Sequence, residues 1–162
     1  MKFYGASKIW HAPLWQSVRD LGNTARWIDI EGDSESTPVY QGEEITRQDI
    51  WNFCLTDVTK AQAVILYCGA MEENQRGAVM EAGHAMGQGK PVYCINTCET
   101  LKACPTSDVA FTHHELWNWV AANEWLSFEE GFRRAYWKAQ NDILLAEEQN
   151  VILHRFAAKR SA

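Results

Sequence analysis

The segment from Ala63 to Pro91 limits the fold more than any other part of this chain. Its opening run, Ala63 to Cys68 (AVILYC), is short, apolar and β-branched at its centre, so it reads as a strand buried on both faces of a sheet. A short loop follows, and then NQRGAVMEAGHAMGQGKP, in which Ala78, Ala82, Ala85 and Met86 recur at helical spacing. A strand, a tight connection and a helix opening in this order describe one half of an open α/β unit. In such sheets ligands bind beyond the carboxyl ends of the strands. Arg76 and Gly77 fall where free backbone N–H groups and the positive end of the helix dipole would face an anion, and Glu81 falls one turn further in.

The rest of the chain supplies matching elements. Lys2 to Ala6 reads as a first strand, and Leu14 to Leu21 as a first helix closed by Gly22-Asn23. Ala25 to Ile30 (ARWIDI) alternates and is expected to be a second strand. Glu31 to Gly42 is polar and marks a long exposed loop, a common setting for a functional lid. Thr46 to Lys60 suits a helix through Ile50, Phe53, Cys54 and Val58, with Asp57 near its end; Pro91 to Ile95 suits a fourth strand and Asp108 to Thr112 a short fifth. Ser127 with Glu130 is a capping-box pattern opening a long final helix towards Phe156. The alternation predicts a parallel, doubly wound α/β sheet of about five strands over residues 1–112, with a helical C-terminal extension over 113–162 in the same domain. In the last helix Phe132, Tyr136, Ala139, Ile143, Ala146, Asn150 and Leu153 follow a 4-3-4-3 spacing, which serves either packing on its own sheet or a seam against another subunit.

Composition narrows the function. One domain of 162 residues with 46% apolar residues can bury a sizeable core, and a net charge of −6 argues against an extended nucleic-acid footprint while leaving a free nucleoside or nucleotide open. No run is long and apolar enough to cross a bilayer and the opening MKFYGAS lacks a signal-peptide core, so a cytoplasmic location is expected, with the five cysteines as reduced thiols. Eight tryptophans favour an aromatic-lined pocket or buried contact, and those near the end (Trp117, Trp119, Trp125 and Trp137, with Tyr136) are expected to bury against a second copy of the chain in a homo-oligomer. Cys94, Cys98 and Cys104 with His113 and His114 match no common zinc spacing, and Glu81 with His84 alone is too few ligands, so no metal is expected. His84 shares the face of Glu81 and either tunes it or packs.

FYGAS near the start, ARWID, the aspartate in LTDVTKAQAVILY, and RGAVMEAGHAMGQGKPV together resemble the nucleoside 2-deoxyribosyltransferase superfamily, over about residues 2 to 96. The resemblance implies a flavodoxin-like fold, no cofactor, and cleavage or transfer at the N-glycosidic bond of a (deoxy)nucleoside or its 5′-monophosphate. It implies Glu81 as the nucleophile at C1′ and Asp57 as the group that holds or protonates the base. Gly5, Ala6, Ser7, Trp10, His11, Arg76 and Gly77 become the substrate-binding candidates, with Trp10 against the base and Arg76 with the Gly77 amide at a sugar hydroxyl or 5′-phosphate. Two positions depart from the family pattern. Gln75 stands where an acidic residue precedes the nucleophile by six, and Phe3 stands where a tyrosine precedes the first-strand Gly-Ala by two; Tyr4 is adjacent, but strand side chains alternate faces. Readings from other classes are a nucleotide-binding module without turnover, which would not need Glu81, and an NAD-cleaving glycohydrolase.

Overall fold

A computed structural model of the chain describes residues 1–32, 36–69, 75–96, 118–120 and 125–160, the side chains of 120 and 152–160 excepted. The expected fifth strand at Asp108 to Thr112, four of the five candidate metal ligands (Cys98, Cys104, His113 and His114) and Trp117 lie outside the described residues.

Four parallel strands form the main sheet in the order β1, β4, β5, β6: β1 (Phe3–Ala6), β4 (Ala63–Tyr67), β5 (Val92–Ile95) and the two-residue edge strand β6 (Trp119–Val120). Phe3 pairs with Ala63, Val64 with Val92 and Tyr93 with Trp119. β1, β4 and β5 are buried throughout, as central parallel strands must be. A separate antiparallel hairpin, β2 (Val39–Tyr40) and β3 (Glu43–Glu44), begins inside the expected loop Glu31 to Gly42 and ends just beyond it. The helices are α1 (Ala12–Gln16), α2 (Arg47–Lys60), α3 (Arg76–Gly87) and α4 (Phe128–Arg160).

The expected second strand is absent, and so is the five-strand count: four strands make up the sheet among the described residues. Asn23 makes a single parallel bridge to Phe3, with Thr24 N–H donating to the Phe3 carbonyl at 2.7 Å, and the chain then turns into a 3-10 helix over Arg26–Asp29. Side chains have taken the place of the ladder. Gly5 N–H donates to Asn23 Oδ1 at 3.1 Å and the Gly5 carbonyl accepts from Trp27 Nε1 at 2.9 Å. With the free edge of β1 satisfied in this way, extending ARWIDI as a strand would gain no backbone partner there.

Strand alternation divides the core. Phe3 points towards α1 and α4, where its ring lies 6.4 Å from Trp15, 5.4 Å from Phe132 and 5.7 Å from Tyr136. Tyr4 points the other way, towards α2 and α3. The first helix is shorter than its apolar pattern suggests, ending at Gln16 before a 3-10 turn at Arg19–Leu21. α2 begins with a capping box, Thr46 Oγ1 accepting from Asp49 N–H at 3.1 Å and Asp49 Oδ2 accepting from Thr46 N–H at 2.9 Å. It ends on a cation: Lys90 Nζ donates to the carbonyls of Val58 at 2.8 Å and Ala61 at 2.7 Å, and to that of Thr59.

α4 opens as its sequence predicts, with Glu130 N–H donating to Ser127 Oγ at 3.3 Å. Its first half packs on the sheet through Phe128, Phe132, Ala135 and Ala139, and Tyr93 ties it down by donating to Asp142 Oδ2 at 2.9 Å. The absence of a side chain at Gly131 is what lets α4 approach so closely, since a Cβ there would lie 2.1 Å from Ile95 Cγ2. Of the 4-3-4-3 positions, Phe132 and Ala139 are buried and Tyr136 and Ile143 half-buried, so this half of the pattern is core; from Leu144 to Val151 every residue is exposed.

Candidate active site

β1, α2 and α3 meet at a buried polar cluster. α3 follows β4 and therefore starts at the carboxyl edge of the sheet; Arg76, its first residue, is exposed there, and Glu81 lies five residues further in, 7% exposed. Burial is the dominant influence on the Glu81 carboxyl and pushes its pKa up to about 7, with the Tyr4 hydroxyl and Cys54 thiol pulling in the opposite direction. Desolvation prevails, and near neutral pH the carboxyl is poised between its two forms. Tyr4 and Cys54 are themselves raised, each by burial first and by the neighbouring carboxylate second. The Tyr4 hydroxyl is wholly buried and forms no hydrogen bond of regular geometry, although Glu81 and Cys54 both lie within its influence.

Asp57, 2% exposed, stands one turn beyond Cys54 on α2 and is committed to Arg26. Arg26 Nε donates to both carboxylate oxygens at 2.9 Å and the Arg26 N–H donates to Oδ2 at 3.0 Å, while the guanidinium lies 4.3 Å from the Phe53 ring centroid. Three donated bonds to Asp57 fix the Thr24–Arg26 turn against α2.

The other sequence candidates are distributed around the same edge. Gly5 is required by packing, because a Cβ there would come within 2.4 Å of the Trp15 ring. Ala6 is buried at the end of β1, and the Ser7 hydroxyl accepts from Trp15 Nε1 at 2.7 Å. Trp10 is 62% exposed with Lys8 Nζ 4.9 Å from its ring centroid, whereas His11 is buried with its ring 4.8 Å from that of Tyr67 at the end of β4. A Cβ on Gly77 would meet Trp51 of α2 at 3.8 Å, so Trp51 flanks the opening of α3. His84 faces away from this cluster: its Nε2 lies 2.9 Å from Gln88 Nε2 and 3.4 Å from Thr59 Oγ1.

Trp51, Cys54 and Arg26 were not among the site candidates of the sequence, and Tyr4 entered only as the neighbour of Phe3. Trp51 and Cys54 carry a faint signal, since they stand three apart on α2 and one helical face then leads to Asp57. The described cysteines, Cys54, Cys68 and Cys94, are buried, and no group of three or more metal-ligating side chains occurs among the described residues. Compared with protein-family models, curated proteins and solved structures, the chain matches none.

Proposed function

We propose that the chain cleaves or transfers at the N-glycosidic bond of a (deoxy)nucleoside or nucleoside 5′-monophosphate, in the cytoplasm, on a flavodoxin-like sheet whose second strand has been replaced by side-chain bonds. The observation that carries this reading is the Glu81 carboxyl, held in a desolvated cluster with Tyr4 and Cys54 one turn and a half inside the carboxyl edge of the sheet. A carboxylate so placed can attack C1′ once ionised, expel the base and form a glycosyl ester, which water or a second base then opens from the opposite face. Asp57, oriented by Arg26, interacts with the leaving base, and Arg76 at the exposed start of α3 with the Gly77 amide meets a sugar hydroxyl or phosphate. No cofactor is needed for this chemistry.

The burial of Glu81 favours one rival, a nucleotide-binding protein without turnover, in which the neutral carboxyl is a core group. Incubation with a panel of nucleosides, deoxynucleotides and NAD, following released base, separates the readings. Release from a nucleoside or nucleotide supports the proposal, release only of nicotinamide from NAD moves the assignment to a glycohydrolase of that cofactor, and tight binding without release favours the binding protein.

Homo-oligomerisation is part of the same proposal. Trp137 is 59% exposed, and Leu144 and Val151 follow it at intervals of seven on one line of α4, a stripe that a second copy would cover. Light scattering on the wild type and on Trp137→Glu tests it; a monomer in both ends the idea.

A further inference from the structure

We infer that α4 pairs with the α4 of a second copy of this chain in antiparallel fashion, about a two-fold axis passing between Gln140 and Asn141; the inference rests on the homo-oligomer reading above and is independent of the reaction.

One side of α4 is taken and the other is open. Phe132, Ala135 and Ala139 are buried against the sheet, whereas Trp137, Leu144 and Val151 are exposed at intervals of seven, on a face turned away from it. Around Trp137 the apolar surface is wider than one side chain, because Val18 and Leu21 line a groove with Tyr136 and Trp137. From Leu144 to Val151 the helix has no part of its own chain over it. The open face therefore runs from Glu130 to Val151, a length of about 30 Å at the rise of an α-helix.

Charge identifies what covers it. Arg133 and Arg134 are exposed and share a single carboxylate, Glu130, at 2.7 Å and 2.6 Å, so the near half of the face carries a cation in excess. Glu147 and Glu148 are exposed on the far half and have no Lys or Arg three or four positions away along the helix. Two such helices laid parallel would set like charge against like. Laid antiparallel, the register that places Trp137 opposite Leu144 also places Arg133 opposite Glu148 and Arg134 opposite Glu147. Lys138 then stands opposite Ile143 and Asp142 opposite Ala139, so between Glu130 and Val151 no two like charges are level. A face that maps onto itself when reversed, apolar on apolar and acid on base, is what an isologous two-fold interface requires.

The test uses the whole chain. Sedimentation equilibrium is measured for the wild type, for Arg133→Glu with Arg134→Glu, for Glu147→Arg with Glu148→Arg, and for the chain carrying all four changes; circular dichroism confirms that each is folded, and all four positions are exposed. Each double reversal should weaken self-association about tenfold or more, because like charges then face one another across the pair, and the fourfold variant or an equal mixture of the two doubles should recover it. Asn141→Cys should give a disulfide-linked dimer on mild oxidation, since its two copies lie level beside the axis, whereas Val151→Cys should not, its copies standing about 30 Å apart. A wild-type dimer that the charge reversals leave unchanged, or one in which Val151→Cys cross-links to its own copy as readily as Asn141→Cys, overturns the antiparallel pairing and leaves the homo-oligomer standing. A wild type that stays monomeric removes both.

Discussion

The hydroxyl of Tyr4 and the carboxyl of Glu81 face one another inside the protein, one from the first strand and one from the third helix, and each alters the ionisation of the other. The Tyr4 hydroxyl favours the charged form of Glu81, and it has no regular hydrogen bond of its own to lose. Tyr4→Phe should therefore leave stability within about 1 kcal/mol of wild type, because the buried hydroxyl is poorly compensated already. The Glu81 titration should move to higher pH. Carbonyl-edited NMR of the Glu81 side chain reads this directly, and a titration unmoved in the variant would show that the two groups do not communicate.

Glu81→Gln separates charge from shape. Burial raises its pKa to about 7 in the folded chain, above the ordinary glutamate value of 4.5, so the folded chain binds the extra proton and stability declines as pH rises from about 4.5 to about 7. Above that range the accumulated penalty is about 3 kcal/mol, which the glutamine variant escapes. Urea unfolding at pH 5 and pH 8 should show the variant gaining on the wild type at the higher pH. Base release should fall by several orders of magnitude in the variant, and in the wild type should rise with pH through about 7 as the nucleophile ionises. Near-wild-type release by Glu81→Gln rules out the nucleophile; a glycosyl ester on Glu81, trapped with a 2-fluoro-arabinosyl substrate and seen by mass spectrometry, establishes it.

Arg76→Ala tests the anion end of the site. If the exposed guanidinium meets a 5′-phosphate, the variant should lose about 1.5 to 3 kcal/mol of binding to the phosphorylated substrate and little for the nucleoside. Equal losses for both, measured as Kd by calorimetry, remove the phosphate role.

Asp57→Ala should destabilise the chain by about 2 to 4 kcal/mol, since it strips the buried carboxylate from three donated bonds and leaves Arg26 without its partner. Arg26→Ala should cost at least as much, because it leaves a carboxylate only 3% exposed without its cation, whereas the guanidinium left behind by Asp57→Ala is 30% exposed and can be hydrated. Chemical denaturation of both variants and the double variant gives the coupling; additive losses would mean that the pair contributes nothing as a pair.

Asn96 has φ of 65° and is fully buried where β5 ends, with its side chain donating to the carbonyls of Cys68 at 3.3 Å and Leu126 at 2.8 Å and accepting from Leu126 N–H at 2.9 Å. One side chain thus joins the ends of β4 and β5 to the approach of α4. Asn96→Ala should lower the unfolding free energy by about 2 to 3 kcal/mol, from orphaned buried groups and the strain of a positive φ. A loss under half that size would mean that the three segments hold together without it.

What could be read from the sequence depended on where the information was local. AVILY, VYCI, the α3 repeat and the apolar spacing of Thr46 to Lys60 carry their own periodicity, and Ser127–Glu130 carries its own cap, so these elements were legible. ARWIDI was misread because its alternation reflects burial of Trp27, Ile28 and Ile30 in a 3-10 turn, and the competing bonds come from Asn23 and Asp57, neither of which lies in the run itself. In the candidate site, Glu81 stood out through its motif. The direction of Tyr4 did not, because it depends on which face of β1 meets α3, and that is fixed only when Phe3 finds the aromatic rings of α1 and α4.

β1 reaches its place in the sheet by pairing Phe3 with Ala63, across sixty positions of chain. Loop closure over such a length carries an entropic cost that no local contact returns, and parallel pairing of distant segments is characteristically slow. Tyr4 rides on that strand. The polar cluster around Glu81 is consequently absent from any partly folded form in which the first strand has yet to dock, so a folding chain acquires its candidate reactive centre in the most non-local strand pairing among the described residues, and refolding followed at Tyr4 would report docking of that strand and assembly of the centre as a single event.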